Sequence, residues 1–339
     1  MQKDTKKGYF IVSLDFELFW GMFDKVTLET YGDRIRGERT AIPRMLDIFS
    51  RYGIHATWAT VGMLMAKDKQ DLLTLLPSPE LQPVYEDMRM SSYEYLKTAP
   101  IETDTVPDIY HFGSDLVWKI LATPFQEIGN HTFSHFYCID GYTNRPEVFR
   151  TDLEAFERAL RPYETTTESI DFPRNQASVE ALRICAEKGI RAYRGNEAHV
   201  LYTPRKNADQ SLLIRAFRLL DHYINLSGYH TYPLPKAHTG IPLDIPSSRF
   251  FRPWNRMFSI FEPLRLRRIM SAMTHAAKNG EVFHLWWHPH NFGIDQKQNF
   301  KNLETILRHF KKLQEQYNME SASMSDITKC VDEQVASSI

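Results

Sequence analysis

The chain has 339 residues, 42% hydrophobic and 24% charged, enough to bury one sizeable core without disulfide or metal staples. Lysine plus arginine number 41 against 42 for aspartate plus glutamate, a balance that gives no electrostatic case for nucleic acid or an anionic membrane surface as partner. No run of about twenty apolar residues offers a spanning helix, the opening MQKDTKKGYFIVSLDFELF lacks the form of a signal peptide, and Cys138, Cys185 and Cys330 are too scattered for a disulfide framework, so a cytoplasmic protein is expected.

YFIVSLDFE (9–17) reads as a buried strand ending in acids. AIPRMLDIFSRYG (41–53) reads as a helix with Pro43 near its first turn and Gly53 at its end, and IHATWATVG (54–62) as a second strand. A long stretch without periodicity follows, about 63–112, of the kind that forms lids or excursions. DLVWKILA (115–122) is helical, and FQEIGNHTF (125–133) is a strand running into a loop. From there helices (146–163, 178–189, 208–222, 263–280, 299–317) alternate with strands (169–175, 190–196, 243–250, 281–290). The tail, about 319–339, is polar and small-residue rich and is expected to be weakly ordered. Seven strand-then-helix units predict an α/β fold: one domain built as a distorted, TIM-like barrel with an insertion after its second strand.

In such a barrel chemistry sits where strands end, and this chain's polar clusters fall there. Asp15 and Glu17 share one strand face, an arrangement that is costly unless a cation or proton sits between them; a solvated strand end explains them equally well. His131 and His135 in NHTFSH have the spacing to reach one metal, on a helical turn or a tight loop, with Thr132 and Ser134 positioned to orient the rings; HxxxH alone also arises from packing. Arg174 in DFPRNQ is either a surface salt bridge or the cation that keeps a general-base carboxylate ionised. His284, His288 and His290 share one parity in HLWWHPHNFG, with His284 the deeper one. Trp286 and Trp287 point opposite ways, so one walls the cleft. Arg194, Asn196, Trp287, His290 and Asn291 are the candidate substrate contacts. Arg252 is either a ligand contact or structural.

The order of these features (an acidic strand end, NHTFSH, a strand-end arginine, then a late apolar strand ending in histidine) resembles the polysaccharide deacetylase family, also known as the NodB-homology domain or carbohydrate esterase family 4, over roughly residues 9–317. NHTFSH is close to that family's metal motif. SLDFE stands where the family has TFDD, FPRN where it has an arginine segment, and LWWHPH where it has Leu-x-His. AYRGNE and WWHPHNFG are similar to a branch linked to bacterial surface-polysaccharide and O-antigen biosynthesis.

The resemblance implies metal-dependent removal of an acyl group, N-acetyl first, from a sugar or glycan precursor. It makes His131 and His135 metal ligands and Arg174 the tuner of the base. Asp15 is then the base, Glu17 the third ligand and His288 the general acid, with the reverse assignment of the two acids as the alternative. The implied metal is Zn²⁺, with Co²⁺, Ni²⁺ or Mn²⁺ as substitutes. The chain departs from the family pattern in having Glu as the second acid, one residue later, and in lacking the aspartate motif that supports the histidine. A deformylase, a cyclic-amide hydrolase and an inactive carbohydrate-binding module are the competing expectations.

Overall fold

The computed structural model describes residues 7–99, 101, 108–139, 145–197, 199–202, 212–236 and 240–337. In chain order the elements are β1 (Tyr9–Phe16), α1 (Leu28–Tyr52), β2 (Ala56–Thr60), α2 (Lys69–Leu75), α3 (Ser92–Thr98), α4 (Ser114–Leu121), β3 (Gln126–Asn130), α5 (Pro146–Leu160), β4 (Ser169–Ile170), α6 (Val179–Glu187), β5 (Ala192–Gly195), α7 (Leu212–Asp221), β6 (Leu243–Pro246), β7 (Arg249–Phe250), α8 (Glu262–Asn279), β8 (Val282–Trp287), α9 (Gln296–Tyr317), β9 (Glu320–Ala322) and α10 (Met324–Ser337).

The strands pair in parallel, in the order β6-β5-β4-β3-β2-β1-β8-β7, with β9 added beside β1. β6 and β7 are two halves of one segment. Ser247 N donates to Gly195 O of β5 at 2.9 Å, and Ser248 N donates to His284 O of β8 at 2.8 Å. That segment therefore brings the two ends of the curled sheet together, and among the described residues nine strands, eight of them along one path, stand where seven were expected.

β1 lies at the centre of this arrangement and is buried along nearly all its length. Phe10, Val12, Leu14 and Phe16 join the core under the helices, while Ile11 belongs to a second cluster with Ala192, Ile245 and Val282. Period two thus splits the strand into a helix-facing apolar row and a barrel-facing row of Ile11, Ser13 and Asp15.

Three expectations need correction. The first helix begins at Leu28, not at residue 41, so Pro43 sits in its interior. Thr27 and Thr30 form a reciprocal capping box there, and Gly32 and Gly37 break the apolar pattern that a sequence reading follows. Gly37 is required by packing, because a Cβ on it would lie 1.9 Å from the carbonyl oxygen of Gly293. Second, residues 63–112 form short helices and turns rather than an irregular excursion; residues 100 and 102–107 of it lie outside the described residues. Tyr85, Tyr93, Leu96 and Phe112 are buried. Third, the tail is ordered over its described residues, 319–337. β9 pairs with the lower half of β1, and Met324, Ile327 and Val331 of α10 are buried. Its polar residues have specific partners: Met324 N donates to Thr57 Oγ1 at 3.0 Å, and Asp326 holds His55 at 2.7 Å.

β4 is only two residues long, where seven were expected, and the chain leaves it for a turn that begins at Pro173. The start of the expected helix 208–222 lies outside the described residues. Among the described residues no helix is long and apolar enough to cross a membrane.

Gly37→Ala gains helix propensity yet forces two backbones apart. The expected net result is a loss of roughly 1–3 kcal/mol in urea unfolding, as for other overpacked sites; unchanged stability would show that the α1–Gly293 contact is not tight.

Candidate active site

At the barrel mouth the chain buries a cluster of ions. Arg194 of β5 points inward and is only 1% exposed. Its Nη1 and Nη2 donate to the two oxygens of Asp15 at 2.6 and 2.8 Å. Its Nη1 also lies 2.7 Å from Asp171, just beyond β4. Nε and Nη2 donate to Asn175 Oδ1 at 3.0 and 2.8 Å, and the guanidinium stacks 4.2 Å over the Trp286 ring. Burial pushes the Asp15 carboxyl up, but the charge and hydrogen bonds of Arg194 outweigh it, and the group ends below its ordinary value. Asp171 gains less; burial holds it up at about 6 despite Arg194. Ser13 Oγ accepts from Arg194 Nη1 at 3.0 Å and lies 2.9 Å from His284 Nε2. Burial and the nearby Arg194 charge lower His284 to about 3, so the ring is held neutral.

Glu17 follows β1 and turns back over the mouth. Leu18 takes φ 48°, and Gly21 leaves the space the carboxylate needs, since a Cβ there would sit 1.8 Å from Glu17 Oε2. The insertion fixes this corner: Phe19 N donates to Tyr110 O at 3.0 Å and Trp20 Nε1 to His111 O at 2.7 Å. Glu17 Oε1 lies 3.0 Å from His131 Nε2, 3.2 Å from His135 Nε2 and 3.7 Å from His288 Nε2.

The two histidines sit on an irregular loop after β3, not on a helical turn. Thr132 and His135 both adopt left-handed backbone conformations, at φ 62° and 55°, a cost that persists only where surrounding contacts fix the chain. Asp152 of α5 supplies those contacts. It accepts from Phe133 N at 2.7 Å, Ser134 N at 3.2 Å and Ser134 Oγ at 2.5 Å. Thr132 Oγ1 accepts from Phe136 N at 2.7 Å. Thr132 and Ser134 therefore shape the loop rather than orient the imidazole rings, whose Nδ1 atoms are buried without a hydrogen-bond partner.

Several roles expected from the sequence look different in three dimensions. Arg174 does not reach Asp15. Its Nη2 bonds Asp24 Oδ2 at 2.6 Å and its guanidinium lies 4.2 Å over Tyr137, because the chain turns through positive φ at Arg174 and Asn175 and carries the side chain away. The cation on Asp15 is Arg194, which is consumed by its ion pairs and so is not presented to a substrate. Trp287 is fully buried against Phe49, Phe251 and Phe292. Trp286, which shares the parity of His284 and His288, lines the cleft instead. Asn196 bonds Asn175 O at 2.9 Å and steadies that turn. His288 lies 3.7 Å from Asp15 Oδ2, its side chain 24% exposed. His290 accepts or donates at Nδ1 to Tyr31 Oη, 2.9 Å away. Together with Asn291, Tyr31, Lys25 and Phe250, these groups line an open cleft of about 370 Å³ over Asp15 and Glu17.

The donor set suits a divalent cation. A buried carboxylate ringed by imidazole nitrogens needs either protons on those rings or a metal among them. Burial lowers both histidines, but the bond to Glu17 and the Asp15 charge lift His131 above its ordinary value, while His135 stays below. The rings therefore do not both welcome a proton, and one ligand atom each from Glu17, His131 and His135 lies within 4.8 Å of the others. Two imidazoles and a carboxylate leave open positions for water and substrate.

Sequence reasoning missed Asp24, Asp152 and Asp171. Asp171 is the third residue of SIDFPRN and only its burial marks it; Asp152 sits on the apolar face of α5, and a buried acid there was the available signal.

The sequence pattern of the family described as "Polysaccharide deacetylase" matches residues 22–193, a stretch that carries His131 and His135 but begins after Glu17. A comparison with curated proteins by sequence gives no match. Among solved structures, a candidate polysaccharide deacetylase from Mycobacterium smegmatis is similar at 13% identity and TM-score 0.61, covering 98% of this chain and 93% of that one. PuuE allantoinase is similar at 11% identity and TM-score 0.53, over 97% and 91% of the two chains. A 4-alpha-glucanotransferase from Thermococcus litoralis has 11% identity and TM-score 0.53, over 96% of this chain and 40% of that one. At these identities the likenesses concern the fold.

Arg194→Ala leaves Asp15 and Asp171 buried without their cation and is expected to cost roughly 3–5 kcal/mol. Arg174→Ala, which removes one partner of a single and less enclosed ion pair, is expected to cost less. Denaturant unfolding measures both; equal costs would contradict the assignment of Arg194 as the central ion.

Proposed function

The chain belongs to the polysaccharide deacetylase family, and on that premise we propose that it is a metal-dependent carbohydrate deacetylase that removes an N-acetyl group from a sugar in a surface-polysaccharide or glycoconjugate precursor. The observation that carries this reading is the convergence of Glu17, His131 and His135 beside Asp15 and His288 at the floor of an open cleft.

Glu17, His131 and His135 would hold the ion, zinc first among divalent metals. When bound, it polarises the acyl carbonyl and lowers the pKa of a water. Asp15 is the base. Arg194 keeps it ionised and fixes both its oxygens, so Oδ2 faces the cleft as an acceptor for the water proton. His288 lies across the same space, and its Nε2 gives a proton to the departing sugar nitrogen, since an amide nitrogen leaves poorly without one. Its partial exposure lets it reach a substrate while the other imidazoles stay buried. Trp286, Phe250 and Tyr31 offer aromatic faces on which a sugar ring stacks. Cys138, Cys185 and Cys330 are free thiols, which fits work in the reducing cytoplasm on an activated precursor.

Acetate release from acetamido-sugar conjugates, assayed with added Zn²⁺, tests the reading. Wild type is expected to release acetate, a chelator and His131→Ala to abolish it, and His288→Ala to reduce kcat by about 10²–10⁴ with little change in bound metal. Formate or a ring-opened product without acetate would move the chemistry to another amide, and glycan binding without turnover in any variant would overturn the enzymatic reading.

A further inference from the structure

The surface of the protein is not as featureless as its balanced charge suggests. Two segments, 217–226 and 256–264, carry a concentration of large apolar side chains in solvent: Phe217, Leu220 and Ile224 on the first, Met257, Ile260 and Phe261 on the second. Met257 and Ile260 are the most exposed, at 80% and 79%. The segments are neighbours, since Tyr223 packs on Phe258 and Phe261 with ring centroids 6.5 and 6.0 Å apart. Isolated apolar residues on a surface mean little; a contiguous group of protruding ones marks an interaction site.

Charge decides what kind. Arg256 and Arg267 are exposed at the edge of this patch. The acids in the same segments are withdrawn from it. Asp221 is fully buried on Arg249 at 2.5 Å, and Glu262 is buried under Arg265, at 2.6 and 3.0 Å, with Asn302 at 2.7 Å. Across the described residues 217–226 and 256–267 the exposed charges are therefore two arginines, Arg256 and Arg267. Protruding aliphatic and aromatic side chains flanked by two arginines, with the acids of the same segments buried, match an anionic lipid surface: the apolar tips enter the acyl boundary and the guanidinium groups meet headgroup phosphates. A groove-binding peptide would want a concavity, and the side chains here project outward.

The location gives the patch a purpose. β7 ends at the mouth, and Phe250, its last residue, lines the catalytic cleft. Arg256 begins the 3-10 turn that bears Met257 and Ile260 only six residues later, at most about 20 Å along the chain.

We propose that this face docks the protein onto an anionic bilayer, with the cleft mouth alongside, so that a glycan carried on a lipid is presented to Asp15 and the metal-binding residues. The docking stands on the patch alone and not on the deacetylase reading.

Co-sedimentation of the full chain with vesicles tests it without any catalytic readout. Binding is expected to vesicles rich in phosphatidylglycerol, weakened by high salt, and to be more than about tenfold weaker on pure phosphatidylcholine. Met257→Glu with Ile260→Glu, and separately Arg256→Glu with Arg267→Glu, are each expected to lower partitioning by about tenfold or more. Val179→Glu, at an exposed apolar residue on α6, is expected to bind as wild type. Equal binding by the patch variants and wild type, or no binding to anionic vesicles, would overturn the proposal. So would a stable dimer whose loss in the Met257→Glu/Ile260→Glu variant shows that the patch covers a second copy of this chain. Acetate release in solution is expected to be unchanged in these variants, so failure here and failure of the deacetylase reading are separate results.

Discussion

The ion pair between Arg194 and Asp15 is the constraint on which the rest of the mouth depends. A guanidinium taken out of water at the centre of a barrel must be matched on nearly every donor. Here it is matched by Asp15, Asp171, Asn175 and Ser13, contributed by β1, the end of β4 and the turn that follows it. The consequence for chemistry is a division of labour between two acids on one strand end. Asp15 has both oxygens engaged by a fixed cation and stays ionised. Among the described residues Glu17 is reached by no arginine and is left facing three imidazole nitrogens. The position of the arginine is what favours the proposed roles of Asp15 as base and Glu17 as ligand, and the extra residue between the acids is accommodated because Glu17 leaves the strand and folds back over the mouth.

Rigid elements deliver the charges, and strained turns aim them. Leu18, Thr132, His135, Arg174 and Asn175 all carry positive φ and all flank the cluster. The surrounding hydrogen bonds hold these turns, most clearly the three that Asp152 accepts from the His131–His135 loop. Ordinary packing stands behind them: α1 closes on the turn after β8 through two facing glycines, and the insertion clamps the corner after Glu17. The site is thus pre-organised by parts of the chain that have no role in chemistry.

Much of the architecture is legible in the sequence, because strand-then-helix alternation and period-two burial leave strong patterns. His131, His135, Asp15, Glu17 and His288 do converge, since each ends a strand and parallel strands end on one side. The features that a sequence reading misses follow physical rules as well. Arg174 and Arg194 are both strand-end arginines, and the positive-φ turn at Arg174 and Asn175 carries the first away, so that the second one faces Asp15. Of the two tryptophans, parity with His284 and His288 picks out Trp286, not Trp287, for the cleft. The small polar residues of the tail suggest mobility; its serines instead cap and pair with the barrel floor. Overall charge balance conceals a local segregation, as buried acids beside exposed arginines cancel in a sum but not on a surface.

The central claim is that Glu17, not Asp15, completes the metal site with His131 and His135. Elemental analysis of Glu17→Gln and Asp15→Asn after loading with Zn²⁺ and dialysis tests it most directly. Asp15→Asn is expected to retain about as much metal as wild type, and Glu17→Gln little, as when one of three protein ligands is lost. Retention by Glu17→Gln together with loss from Asp15→Asn would contradict it.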